Sequence, residues 1–358
     1  MARLLTPRLL LRGFEFFLVA SLLGYGLTLL YGHDVSASLA KFGQLEWPWL
    51  FVGLTLASMD WLGGGTRLWV LARHVVPRPS LKGCILAGGM GAWAGYVTPL
   101  QSGSGPMTIY TLRRYGIPLP VAVAATFVSF IATVAFFGIA GPLAILFGAG
   151  RSLGTKGNVL GLSLYDLFLG SLGIVAVIGV VMLVIVVFPR FAAGLIDRLA
   201  AAVGRRSRRV AKRLEKLRVG IEATAASVVA FKTPGGLLAL VWATLLSAPS
   251  HANKLLAGYV ALRVLGIHAN FVDVLLVQTL VMFLLYFAPT PGASGIAELL
   301  TAAVMSVYVP RELTPIYTLV WRCIQSYCTI GFGFIVFSGW VRRGLRTVDE
   351  AALPELAG

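Results

Sequence analysis

Apolar runs long enough to cross a bilayer, separated by short basic or Gly/Pro-rich stretches, set the pattern of this chain. A helix needs about 20 apolar residues to span the hydrocarbon core. Such runs fall at 14–31, 48–72, 118–147, 164–188, 234–265 and 316–340. Each predicts a full crossing, the fifth with a kink at Pro249, where the ring removes a backbone donor. Two more apolar stretches, 83–112 and 271–309, are broken in the middle. The first carries Thr98-Pro99-Leu100-Gln101-Ser102-Gly103-Ser104-Gly105-Pro106; the second carries Pro289-Thr290-Pro291-Gly292-Ala293-Ser294-Gly295 followed by Glu298. No helix passes through such a combination of proline and glycine intact.

The basic residues fix which way these runs face. Arg3, Arg8 and Arg12 hold the N-terminus inside, Arg342, Arg343 and Arg346 hold the C-terminus inside, and Arg73, Arg78 and Lys82 do the same for the loop at 73–82. Arg113 and Arg114 are inside as well, so 83–112 starts and ends on one side and reads as a re-entrant hairpin. Two short complete crossings are the alternative. The same reasoning makes 271–309 a hairpin entering from the opposite face. Opposed broken hairpins at corresponding positions are the pattern of an inverted repeat with a binding site near the midplane. Thr98-Pro99 with Ser102-Gly103, against Thr290-Pro291 with Ser294-Gly295, is its short echo in sequence.

The expected fold is therefore an all-α polytopic membrane protein: about six transmembrane helices plus two opposed re-entrant hairpins in one integral membrane domain. Residues 1–188 form the first half and 234–358 the second. Residues 189–233, rich in Arg and Lys among Leu, Val and Ala, read either as basic amphipathic helices on the cytoplasmic surface or as a solvated loop. The stretch Phe14 to Tyr31 resembles a signal peptide but is long for one; it reads as an uncleaved first span, with Ser36-Ala37-Ser38 leaving cleavage open.

Composition narrows the class further. Of 358 residues, 58% are hydrophobic and 12% charged, with a mean hydropathy of +0.85, too apolar to cover a soluble surface. The net charge of +16 lies mostly between apolar runs, which suits anionic lipid heads at the cytoplasmic face and argues against a nucleic-acid partner. Cys84, Cys323 and Cys328 form no CxxC pair, and the four histidines are scattered, so neither a metal nor a cofactor is expected.

Ionisable residues at membrane depth are the candidates for function. Glu298 and Arg322 each lie some ten residues, about 15 Å of helix, below the expected outer boundary and should pair, as a structural link or as a gate. Asp60 and Arg67 share a helix face. Lys254, His251 and Arg263 read as snorkelling to the outer headgroups. Helix restarts after both breaks, capped by Ser104 or Gly105 with Pro106 at the first helical position, and by Ser294 or Gly295, would aim free N–H groups at a phosphate or simply cap a loop. The substrate-binding candidates are Thr98, Pro99, Ser102, Gly103, Ser104, Gly105, Thr290, Gly292, Ser294, Gly295, Glu298, Arg322, Asp60 and Arg67. No catalytic motif stands out, so the chain is not expected to be an enzyme.

With Thr98-Pro99, Ser102-Gly103, Gly105-Pro106, Pro289-Thr290-Pro291-Gly292, Gly295, Glu298 and Trp321-Arg322 in place, the chain resembles the transmembrane region of the lysylphosphatidylglycerol synthases, the flippase-like family. The resemblance implies translocation of phospholipids or related lipids between leaflets, with the glutamate and arginine lining the lipid cavity. Bifunctional members carry a soluble aminoacyl transferase domain; this chain stops at Gly358, so lysyl transfer is not expected of it. The resulting expectation is a multi-pass protein of the cytoplasmic (inner) membrane that moves a phosphate-bearing lipid, passively or with Glu298 or Asp60 as proton carrier. A partner synthase or a second copy of the chain would be its protein partners. The rivals are a membrane-embedded enzyme acting on lipid heads and a non-transporting scaffold.

Overall fold

The computed structural model describes residues 7–32, 43–146, 158–159, 162–204, 214–215, 228–286 and 288–352. Among them the chain is helical apart from connections and a two-residue antiparallel pairing of Asn158–Val159 with Leu162–Ser163. Three helices there are long and apolar enough to cross a membrane, within Leu10–Leu30, Leu119–Leu143 and Arg311–Trp340. The protein is an all-α polytopic membrane protein, as its apolar pattern requires.

The first span is α1 (Pro7–Gly32). The run at 48–72 is not one helix but two, α2 (Trp47–Ala57) and α3 (Met59–Val75), broken at Ser58. The first hairpin is α4 (Leu81–Tyr96), a tight turn, and α5 (Ser104–Arg114). Then come α6 (Leu119–Leu146), α7 (Leu164–Val187) and α8 (Pro189–Gly204). Within the expected basic segment only α8, 214–215 and the residues from 228 are described; Arg205, Arg206, Arg208, Arg209, Lys212, Arg213, Lys216 and Arg218 lie outside.

The expected single kink at Pro249 is a longer interruption. Residues 234–265 form α9 (Pro234–Leu245), α10 (Ser247–Ser250), α11 (Ala252–Leu255) and α12 (Ala257–Val264), with breaks at Leu246, His251 and Leu256. The second hairpin is α13 (Phe271–Tyr286), a turn, and α14 (Ile296–Met305). The last span is α15 (Thr314–Arg322), one π-helical turn over Cys323–Tyr327, and α16 (Cys328–Ala352). A π turn leaves backbone groups off the regular ladder and is common at functional sites.

Close helix packing depends on glycine where α3 meets α4. A Cβ at Gly65 would lie 2.3 Å from the Cα of Ile85, and one at Gly88 would lie 2.6 Å from the backbone N of Gly65. Small residues let helices approach at backbone distance where lipid removes the usual hydrophobic drive. The N-terminal helix α1 packs on α14 and α15, and α2 packs on α12. The buried core accordingly mixes residues of both sequence halves, with Leu10, Phe17, Met90 and Trp93 beside Ile330 and Trp340.

The two hairpins meet tip against tip. A Cβ on Gly292 would come within 2.8 Å of the Tyr96 carbonyl oxygen. The tips share a conformation over their first four residues and part at the serine, Ser102 being helical (ψ −23°) and Ser294 extended (ψ 140°). Thr-Pro is followed by Leu100 (φ 51°, ψ 27°) in the first and Gly292 (φ 57°, ψ 21°) in the second. Gln101 and Ala293 follow, both at φ 54°. A glycine, Gly103 or Gly295, then precedes the restarted helix in each. Leu100, Gln101 and Ala293 are the non-glycine residues at positive φ among those described, a region that L side chains adopt at a cost.

Candidate functional site

Among the described residues, two buried ion pairs lie near the tips. In the first, Arg322 Nε donates to Glu298 Oε1 at 2.8 Å, with both side chains at most 1% exposed. Glu298 Oε2 accepts from Gly295 N–H at 2.8 Å, and Oε1 also accepts from the Tyr327 hydroxyl at 3.1 Å. The guanidinium donates further to the Gly292 carbonyl at 3.2 Å and to Gln325 Oε1 at 3.3 Å, and it lies 5.9 Å over the Phe17 ring of α1. The pairing expected from depth alone is therefore present, and it welds the second tip to the last span.

The second pair had no counterpart in the sequence reading. Lys254 does not snorkel outward: its Nζ lies 2.6 Å from Asp60 Oδ1 and 5.7 Å over the Tyr96 ring. Asp60 Oδ2 accepts from the Tyr96 hydroxyl at 3.1 Å, Asn253 Nδ2 at 3.0 Å and Thr329 Oγ1 at 3.0 Å. Tyr96 and Asn253 also reach the Gln325 carbonyl in the π turn, at 2.9 and 3.2 Å. His251 is buried too, its Nδ1 2.8 Å from the Ser247 carbonyl. Backbone bonds of the i→i−4 type run on across the breaks at Leu246, His251 and Leu256, and His251 and Lys254 both face the protein interior. Arg263 does lie near the end of its helix, 4.9 Å over the Trp49 ring.

Asp60, Arg67, His251 and Lys254 line one cavity of about 710 Å³, together with Ser104 and Gly105 of the first tip and apolar side chains such as Phe127, Phe130, Val134 and Phe137. Arg67 is fixed there by Thr133 Oγ1 at 2.7 Å and Ser247 Oγ at 3.0 Å. The shared face of Asp60 and Arg67 thus looks into one space, as their spacing on α3 requires. A cationic and polar floor under apolar walls suits an amphiphile with an anionic head.

The remaining candidates divide. Thr98 closes the first tip, donating to the Ala94 carbonyl at 2.6 Å and accepting from Gly103 N–H at 2.8 Å. Thr290 donates to the Ser294 carbonyl at 3.0 Å in the second. These two act within their turns. Pro99 and Ser102 are exposed, and Ser294 is buried. The cap expected at Ser104 or Gly105 is Gly103, and Pro106 is the third helical residue. It is tolerated there because the first turn has no intrahelical acceptor to lose. At the second restart the Glu298 carboxylate already occupies the helix N-terminus, so only the first offers its N-terminus to the large cavity. Among the described residues no three His, Cys, Asp or Glu side chains come together as a metal ion would need.

The chain is 24% identical over 308 residues to the "UPF0104 membrane protein" of Archaeoglobus fulgidus, covering 82% of this chain and 86% of that protein. No solved structure matches it. The family model for the lysylphosphatidylglycerol synthase TM region matches residues 14–333, so broken hairpins and buried ion pairs alike fall inside the match, and the chain belongs to that family.

Proposed function

We propose that the protein moves a polar-headed, phosphate-bearing lipid between the leaflets of the cytoplasmic (inner) membrane, with both termini inside and the two hairpins re-entrant. The observation that carries this reading is the 710 Å³ cavity, which joins Arg67, Lys254 and a helix N-terminus to a wall of phenylalanine and valine beside the hairpin tips. A lipid head would bind the polar floor while its chains stay against the apolar wall and in the bilayer. Broken helices are tolerated at membrane depth where they line such a space. The family's name supports lipid handling, and the reading is of a transporter rather than an enzyme.

The test is reconstitution of the full chain into phosphatidylcholine vesicles carrying a trace of fluorescent phospholipid, with outer-leaflet dye quenched by dithionite. Quenching beyond the outer-leaflet fraction, dependent on protein, is the expected result. Binding without movement would leave a scaffold, and chemical conversion of the lipid head would leave an enzyme; either outcome rejects the proposal. Mass spectrometry of copurified lipid then names the head.

A further inference from the structure

His251 stands at the break between α10 and α11, 7% exposed, and lines the large cavity with Arg67 and Lys254. Its ring meets Phe137 edge to face at 5.4 Å and Phe136 stacked at 6.4 Å. Resting on the lipid-translocation reading, we propose that His251 is a specificity-determining residue whose Nε2 accepts a hydrogen bond from a hydroxyl of the lipid head. The substrate is then a phosphodiester lipid whose head carries hydroxyls and no ammonium.

The tautomer follows from the partners of Nδ1. The Ser247 carbonyl, 2.8 Å away, can only accept, so Nδ1 carries the proton. The Ser250 hydroxyl, 3.0 Å from Nδ1, donates to the same carbonyl at 3.1 Å and leaves that assignment in place. A third positive charge in a cavity that already holds Arg67 and Lys254 would be repelled, so the ring is neutral and Nε2 keeps its lone pair. Among the described residues Nε2 makes no hydrogen bond, and it is not sealed off from the cavity. Which nitrogen of a histidine faces a ligand as acceptor is set by the bond the other one makes.

Ser247 places this acceptor beside a cation. Its carbonyl holds the imidazole and its hydroxyl accepts from Arg67 Nη1 at 3.0 Å, so guanidinium and ring are anchored on one residue. A head whose phosphate meets Arg67 brings the hydroxyls next to that phosphate toward the ring. Charge excludes the ammonium heads. Among the described residues the charged side chains lining the cavity are Arg67, Lys254 and Asp60, two positive against one negative. Asp60 has no room for another cation: Oδ1 holds Lys254 at 2.6 Å, and Oδ2 accepts from Tyr96, Asn253 and Thr329. An ammonium would lose its water to meet like charges and no open carboxylate. An aminoacylated head would fit worst.

The experiment runs the full chain in the dithionite assay with acyl-labelled phosphatidylglycerol, phosphatidylmethanol and phosphatidylethanolamine as probes in phosphatidylcholine vesicles. Phosphatidylmethanol has the charge of phosphatidylglycerol without its hydroxyls, and phosphatidylethanolamine carries an ammonium. The wild type should move phosphatidylglycerol about fivefold faster than phosphatidylmethanol, the effect of one hydrogen bond of about 1 kcal/mol, and faster than phosphatidylethanolamine as well. His251→Phe keeps an aromatic ring beside Phe136 and Phe137 but removes the acceptor, so the ratio of the two anionic rates should fall to about one. Its thermal midpoint reports whether it folds. Equal wild-type rates for the two anionic probes overturn the proposal without any variant, and so does a folded His251→Phe that keeps the wild-type ratio. Phosphatidylethanolamine moved as fast as phosphatidylglycerol overturns it too. A wild-type protein that moves none of the probes sinks the translocation reading itself and this inference with it.

Discussion

Neutralising either member of the Glu298–Arg322 pair should cost more stability than neutralising both. Arg322→Gln leaves a carboxylate 0% exposed with two remaining donors, Gly295 N–H and the Tyr327 hydroxyl. Glu298→Gln leaves a guanidinium 1% exposed with neutral acceptors, the Gly292 carbonyl, Gln325 and Ser326. Breaking a buried pair by removing one partner costs about 3–5 kcal/mol, because the other charge stays desolvated. The surviving hydrogen bonds place both single variants at the lower end, about 3 kcal/mol. Removing both charges takes the desolvation cost away with them, so the double variant should return to within about 1 kcal/mol of the wild type. The assay is loss of the monodisperse peak on heating in detergent, for all four proteins, followed by lipid transport for those that stay folded. Additive losses, with the double variant less stable than either single one, would refute the reasoning, since additivity means the two charges do not sense each other.

Three further outcomes follow from the same geometry. Gly88→Val should destabilise the protein by about 1–3 kcal/mol by forcing α3 from α4, whereas Gly105→Ala, whose Cβ would meet nothing within 4 Å, should be tolerated in the same heating assay. With the free cysteines Cys84, Cys323 and Cys328 replaced, single cysteines at Arg78 and Arg113 should label from one side of the membrane and one at Glu312 from the other; labelling of 78 and 113 from opposite sides would make the first hairpin a pair of crossings. Arg198, exposed on α8, should contribute about 1 kcal/mol of attraction to anionic vesicles, read as protease protection that Arg198→Gln reduces; equal protection in neutral vesicles would reject a membrane-bound α8.

Hydropathy, basic flanks and the Pro/Gly breaks in sequence were enough to determine the class, the approximate positions of the apolar segments and the two interrupted hairpins. Each follows from local rules: a bilayer sets the length of a helix, and proline or glycine ends one wherever it stands. The Glu298–Arg322 pair was legible for the same reason, because two charges at similar depth have no cheaper partner than each other. The repeated tip was visible only as Thr-Pro and Ser-Gly; that Leu100 takes the backbone conformation of Gly292 is a property of packing that no propensity for leucine suggests.

Tertiary structure alone decided where Lys254 and His251 point. Their position in 234–265 suggests the outer headgroups, but the lysine meets Asp60, nearly two hundred residues earlier in the chain, and the histidine is buried. The tertiary structure also joined Asp60 to Tyr96, Asn253 and Thr329, the first two of which donate to the Gln325 carbonyl as well, so that α3, α4, α11 and the last span meet at one carboxylate. Such a site has no spacing to read, because its residues become neighbours only through the way those helices cross. Sequence periodicity reports which side of a helix is apolar; it carries no information on which other helix that side will meet.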